Sequence, residues 1–559
     1  MSDNEKKISR RKFVKYLVGG AVVVGAAAAG IYYSTTAPSG AQSSTTAAMT
    51  SVPATTTAAA LQELIVGGQF MTRLMDAQKS VTGDDTIVLR HVYDNLITFK
   101  DPDYSTFIPS LAKSWEVSQD AKVYTFHLRD DVKFYPSGNP MTADDVVWSF
   151  NRDLAAKWPG GKAYVYIKEV RKVDDYTVVM ELNTPFVAIL ALLTGLADGN
   201  IYDSKAVIPH VNGAWGTPEC DYGSPWVDEH SVGSGPYYIK EWSRSQRVVL
   251  ERNPYYWGPK PVNDRITFQI VSEPATLQTM LEKGDVDIAW KGIPMDVLST
   301  YPRADVKVAA APVFACYVSH MNTAFPPFAD PKVRQAMRYA VNYPAIRDKL
   351  LSGNAIQMSS PLYKGLLAGG NTYYEYDLDK AKKLMSESKY PNGFEVTKIV
   401  PSAADLGISY SDLVLMETED MAKIGITEKM EVYDWSVLDE RIPGGKFDWA
   451  QDMHTIIFID PEGMYELSGA PRHGNSLCLA NTPWRDDEID SLLDQGQVET
   501  DPAKRAQLYD QANTLIAERG AEIWYFQSEG LYPYRSSVSN FAPWIYSDLM
   551  YFGNVVRSS

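Results

Sequence analysis

The chain has 559 residues, 45% hydrophobic and 22% charged, with 37 Gly and 33 Pro, a composition that excludes collagen-like, coiled-coil and wholly disordered classes. Its formal net charge is −16, from 53 basic and 69 acidic side chains. Residues 1–16 oppose that trend, with Lys6, Lys7, Arg10, Arg11, Lys12 and Lys15 set against Asp3 and Glu5, and residues 17–60 carry no charge, so the remainder is more acidic than the whole. A body of that sign repels phosphates, which argues against nucleic acid as a partner.

Residues 16–33 form an uncharged run of eighteen, at the short end for crossing about 30 Å of hydrocarbon. Directly before it stands Ser9-Arg10-Arg11-Lys12-Phe13-Val14-Lys15. This stretch resembles the twin-arginine export signal, with Arg10, Arg11 and Phe13 at its defining positions. Residues 1–33 are therefore read as a signal or membrane anchor, and the protein is expected outside the cytoplasm. Ser39-Gly40-Ala41 offers the small residues a signal peptidase takes, so cleavage and retention both stay open. Lipid attachment through a cysteine is excluded, because the first Cys is Cys220.

Residues 34–60 contain thirteen Ser or Thr and eight Ala, and they lack the bulky apolar side chains a core needs. They read as a linker, and they resemble the Ser/Thr-rich tethers of archaeal surface binding proteins. Cys220, Cys316 and Cys478 match no zinc or redox spacing; one oxidised pair or three buried thiols are both compatible with an exported chain.

From Leu61 the pattern turns globular. Residues 63–68 predict a strand ending in Gly67-Gly68, and residues 124–129 alternate Tyr, Phe and Leu with polar side chains, as in a strand with one buried face. Thr142-Ala-Asp-Asp145 is a capping box, so a helix is expected to start there. Residues 248–252 and 265–271 predict strands on either side of a turn over 253–262. Asp330-Pro331 and Asp501-Pro502 each open a helix with an Asp cap and Pro in the first turn, the first reaching about Val341 and the second Arg519, with Gly520 closing it. Strands and helices interleave without a fixed repeat, which predicts an α/β class.

The usual catalytic signatures are missing. Gly233-Ser234-Gly235-Pro236 reads as a turn and not a nucleophile elbow, and Gly160-Gly161-Lys162 lacks the spacing of a phosphate loop. The seven His are scattered, so no metal site is predicted. Asp144-Asp145 is explained by helix capping. The aromatic content, 13 Trp, 34 Tyr and 18 Phe, suits both cores and pockets that stack on organic solutes.

Several stretches, in order, carry a resemblance to one family: residues 111–134 (LAKSWEVSQDAKVYTFHLRDDVKF), 141–150 (MTADDVVWSF), 233–237 (GSGPY), 250–258 (LERNPYYWG), 281–289 (LEKGDVDIA) and 322–342 (NTAFPPFADPKVRQAMRYAVN). The body from residue 61 is similar to the extracytoplasmic solute-binding proteins of ABC importers, family 5, whose members bind oligopeptides, nickel complexes or oligosaccharides. The resemblance implies a two-lobed α/β fold of the periplasmic-binding-protein type. Lobe I takes 61–90, 231–305 and 531–559, with an extra subdomain over 91–230, and lobe II takes 306–530. Hinge crossings are expected near 308–319 and 529–535. A small organic solute, peptide or oligosaccharide, is expected between the lobes of a monomer, for delivery to the permease's transmembrane subunits. Membrane contact would come only through an uncleaved N-terminal segment, and no cofactor is implied. A secreted hydrolase is the competing class.

In this family the stretch equivalent to residues 447–461 (FDWAQDMHTIIFIDP) reads the ligand. Asp460-Pro461 matches the family's ending, but Ile457 stands where peptide binders carry the Asp that holds the ligand's α-amino group, and His454 replaces a frequent Trp. Burying an ammonium without a partner costs several kcal/mol, which leaves three alternatives: Asp452 or Asp460 substitutes, longer peptides anchor by backbone bonds, or a neutral sugar stacks on aromatic side chains. Asp452, His454, Ile457 and Asp460 are the predicted ligand-side residues, with Trp435 and Trp290 as stacking candidates.

Overall fold

The computed structural model describes residues 61–558 except 71, 81–82, 101–102, 159–160, 162, 196, 304, 367–373, 403, 406–407, 457, 466–482 and 544–549. The predicted signal with Arg10, Arg11 and Phe13, the linker, Ile457 and Cys478 therefore lie outside the described residues. Of the other two thiols, Cys220 and Cys316 are buried and free.

One mixed sheet of eleven strands organises the body. At one end lies the predicted strand Glu63–Gly68, paired in parallel with Arg265–Ile270 and Ile288–Ala289. Strands Arg247–Arg252 and Tyr237–Ser243 extend this end in antiparallel fashion. At the other end Phe394–Pro401 runs parallel to both Ile426–Tyr433 and Trp449–Thr455. Leu64 and Val66 are fully buried, as a strand covered on both faces requires.

Two long strands join the halves. Val306–Met321 has sixteen residues, Glu522–Arg535 has fourteen, and they pair antiparallel from Val306 opposite Arg535 to His320 opposite Glu522. Their register breaks between Pro312 and Cys316. Each half thus keeps its own core while sharing one hydrogen-bonded ribbon. Val66, Phe268 and Trp290 belong to one core, whereas Tyr317, Met337 and Trp449 belong to another.

A separate four-stranded sheet, ordered Ala112–Val117, Val123–Leu128, Thr177–Leu182 and Ile167–Asp174, builds the segment between residues 91 and 230. Tyr124, Phe126 and Leu128 point to its core, following the alternation in the sequence. Helix Ala143–Ala156 packs here, and its capping box forms: Thr142 donates its backbone N–H to Asp145 Oδ2 at 2.8 Å. The other oxygen of Asp145 accepts from the Ser204 hydroxyl at 2.6 Å, while Asp144 points outward to Lys172. Both carboxylates are thereby spent on structure. The Asp caps form as well, Asp330 on helix Pro331–Ala340 and Asp501 on helix Pro502–Arg519, which ends at Gly520.

Candidate ligand-binding cleft

In open α/β sheets, ligands bind beyond the carboxyl ends of the strands. Here those ends converge from both halves. Thr455, the last residue of its strand, lies opposite Ala315, next to the register break in the ribbon. From the other half, Val66 pairs with Ile288 and Ile288 with Tyr534, so Glu63–Gly68 also runs toward the middle of the ribbon. The loops after Gly68, Tyr433 and Thr455 consequently face one crevice. Phe186 meets Phe458 edge-on at 6.2 Å, and Val187 donates its N–H to the Gln497 carbonyl at 3.2 Å, joining the segment between 91 and 230 to the half that carries Trp449–Thr455.

Strand alternation decides where the predicted residues point. Asp452 lies opposite Val318 and His454 opposite Cys316, and these four share a face of the sheet. Cys316, Val318 and Trp524 on that face are covered by Leu493, Ala512 and Ile516 from helices Asp487–Val498 and Pro502–Arg519. Asp452 and His454, expected on the ligand side, therefore sit on the face that these helices cover. Asp452 is 3% exposed and His454 1%, and they meet a third residue, His320, also 1% exposed.

The three groups gather at one point. His320 Nε2 lies 3.2 Å from His454 Nε2, and Asp452 Oδ2 lies 3.5 Å from the first and 3.4 Å from the second. The His454 ring meets Trp524 edge-on, and its backbone carbonyl accepts the Tyr363 hydroxyl at 2.8 Å. Burial pushes His320 below the ordinary imidazole range. Burial alone would raise the Asp452 carboxyl, but the two imidazoles outweigh it and hold it well below the usual range. His320 escaped the sequence reading because only strand pairing brings it to His454. An ionisable residue inside the apolar run from Val313 to Met321 was the available signal.

Asp460 is engaged elsewhere. Arg505 donates Nη1 to its Oδ2 at 2.8 Å and Nη2 to its Oδ1 at 2.6 Å, and the Glu462 N–H adds a third bond. Three of the roughly four acceptor positions of this carboxylate are thereby used within the protein. Trp290 is 3% exposed and stacked on Tyr532 at 5.0 Å, inside the core. Trp435 differs: it follows strand Ile426–Tyr433 at the carboxyl edge, half-buried, with Tyr410 edge-on at 5.8 Å.

The family model for bacterial extracellular solute-binding proteins, family 5, matches residues 106–476. The chain belongs to this family. Among relatives of this solute-binding protein, heme-binding protein A of Haemophilus influenzae is 30% identical over 485 residues, covering 81% of this chain and 84% of its own. The probable D,D-dipeptide-binding periplasmic protein of Escherichia coli is 27% identical over 472 residues, covering 83% of this chain and 88% of its own. A periplasmic binding protein of Helicobacter pylori, solved with the peptide STSA, superposes with a TM-score of 0.76 at 24% identity, covering 89% of this chain and 98% of that one. The two-lobed α/β fold is thus the family's.

Proposed function

We propose that this solute-binding protein captures a peptide between its lobes outside the cytoplasm and hands it, unchanged, to an ABC-type permease. The observation that carries this reading is the set of relatives named for peptides, matched over more than four-fifths of their length. Besides the D,D-dipeptide protein, they include a dipeptide-binding protein of Escherichia coli, 28% identical over 475 residues. The crevice at the converging strand ends supports it, since closure around a solute shifts the population through contacts made only in the closed form. No covalent step is required.

Within that crevice, Trp435 forms apolar wall against the solute, and Ile457 is assigned to the ligand side by the family resemblance alone. Asp460, Asp452 and His454 act from behind it as support, and Trp290 as core. The peptide's amino group is then not captured by the family's usual carboxylate, which favours longer peptides anchored through backbone hydrogen bonds. Arg10, Arg11 and Phe13 direct export by the twin-arginine route, with residues 34–60 as a linker, and the protein works as a monomer.

Native mass spectrometry of the exported protein, purified without refolding, tests the ligand class. A retained mass composed of amino-acid residues is expected, and one composed of hexose units would overturn the reading. Calorimetric titration with peptides and with malto- or cello-oligosaccharides, followed by recovery of the added ligand, separates binding from hydrolysis.

A further inference from the structure

We propose that His320, Asp452 and His454 form a site for one divalent transition-metal ion of the zinc type, inside lobe II and behind the crevice. Geometry carries the assignment. With metal–nitrogen and metal–oxygen distances of about 2.0–2.2 Å, the ligand atoms of a tetrahedral site stand roughly 3.3–3.6 Å apart, whereas octahedral neighbours stand about 3.0 Å apart. The three separations here are 3.2, 3.4 and 3.5 Å, close to one face of a tetrahedron.

Hydrogen bonding explains the cluster poorly. A charge-assisted N–H to carboxylate bond spans about 2.7–2.9 Å, and both contacts to Asp452 Oδ2 are longer, at 3.4 and 3.5 Å. A single proton between the two Nε2 atoms satisfies that pair, and Asp452 Oδ2 faces both rings at more than hydrogen-bond length. Among the described residues no Lys or Arg pairs with Asp452, whose other oxygen accepts the Met453 N–H. A buried carboxylate demands compensation, and a cation at the convergence of the three groups supplies it.

The frame is preorganised. His320 and Asp452 sit on directly paired strands, and all three side chains are buried. An ion at Nε2 places the proton of each neutral imidazole on Nδ1, and both Nδ1 atoms are buried without a partner among the described residues, so packing alone orients the two rings. Two imidazoles with one carboxylate suit zinc and its neighbours and not magnesium or calcium, and three protein ligands leave a fourth position for water. Such an ion would cross-link strands Val306–Met321 and Trp449–Thr455 at a site separate from the solute.

The test uses the exported protein, stripped with a chelator and then titrated with Zn²⁺ or Co²⁺. One equivalent per chain is expected, with the intense visible bands of tetrahedral cobalt and a higher melting temperature with zinc than with chelator. His320→Leu and His454→Leu should each abolish the cobalt bands and weaken binding about a hundredfold or more, by analogy with the 10–100-fold cost of losing even a supporting partner. His127→Gln, at a surface imidazole, should leave both unchanged. Folded wild-type protein that takes up no stoichiometric metal overturns the assignment, as does binding that persists in both His→Leu variants. The wild-type stoichiometry and spectrum decide the question even if no variant folds.

Discussion

Phe552 donates its backbone N–H to Nε2 of His91 at 2.9 Å, tying residues near the C-terminus to the turn that follows helix Gly83–Leu89. The opposite ring nitrogen lies 2.9 Å from the Ile87 carbonyl, so the proton sits on Nδ1 and Nε2 accepts. Tyr551 and Phe552 stack on the ring at 5.2 and 5.8 Å. Burial pushes this imidazole down to about 3.

Acid is therefore expected to loosen the C-terminal segment. An unfolded histidine titrates near 6.5, so the stability carried by neutral His91 is complete above that pH and drains away as pH falls toward 3. At pH 5 the loss is about 2 kcal/mol. Glu522, which burial pushes up to about 7, works in the opposite direction and gains stability below that pH. The measurement is thus a difference: between pH 7.5 and 5, His91→Gln should lose about 2 kcal/mol less than wild type in denaturant titrations. Parallel losses would remove His91 from the account.

The clamp between Arg505 and Asp460, 5% and 13% exposed, makes a second expectation. Removing one partner of a buried pair costs roughly 3–5 kcal/mol. Arg505→Met and Asp460→Asn should both lower the melting temperature by several degrees, with solute affinity changing less than stability. A collapse in affinity at unchanged melting temperature for Asp460→Asn would return that carboxylate to the solute.

Ile457→Asp introduces a carboxylate at the position where the family resemblance expects peptide binders to carry one. One charge-assisted hydrogen bond in a closing crevice contributes about 1.5–3 kcal/mol, or ten- to a hundredfold in affinity. Dipeptides and tripeptides should bind the variant more tightly by that factor in calorimetry, while the natural ligand weakens. Tight dipeptide binding by the unmodified protein would show that another acidic group holds the amino terminus.

Export makes a third kind of test. Arg10→Lys with Arg11→Lys preserves charge and removes the planar donor fork. Exported protein should fall to background in cells carrying both changes. Unchanged export would mean an ordinary basic signal.

Local chemistry was legible in the sequence. The strand Glu63–Gly68 and the caps at Thr142, Asp330 and Asp501 depend on neighbours a few residues away, so pattern alone located them. The family's stretches conveyed the two-lobed plan. Side-chain fate was not legible where distant segments decide it. Nothing near Asp460 announces Arg505, 45 residues on, and nothing near His454 announces His320, 134 residues back. Trp290 and Trp435 look alike as stacking candidates, yet Tyr532 closes over the first while the second stays half-open at a strand end.

The ribbon of Val306–Met321 and Glu522–Arg535 has a consequence for how the molecule comes apart. A sheet that continues from one half to the other through both strands, past the register break at Pro312–Cys316, offers heat no strand boundary along which to part them. Each of the two strands is also built into both halves, so neither half can fray completely without stripping hydrogen bonds from its neighbour. The body should accordingly behave as one cooperative foldon despite its length. Tryptophan signals from Trp290 and Trp449, which report opposite halves, should vanish at a common midpoint.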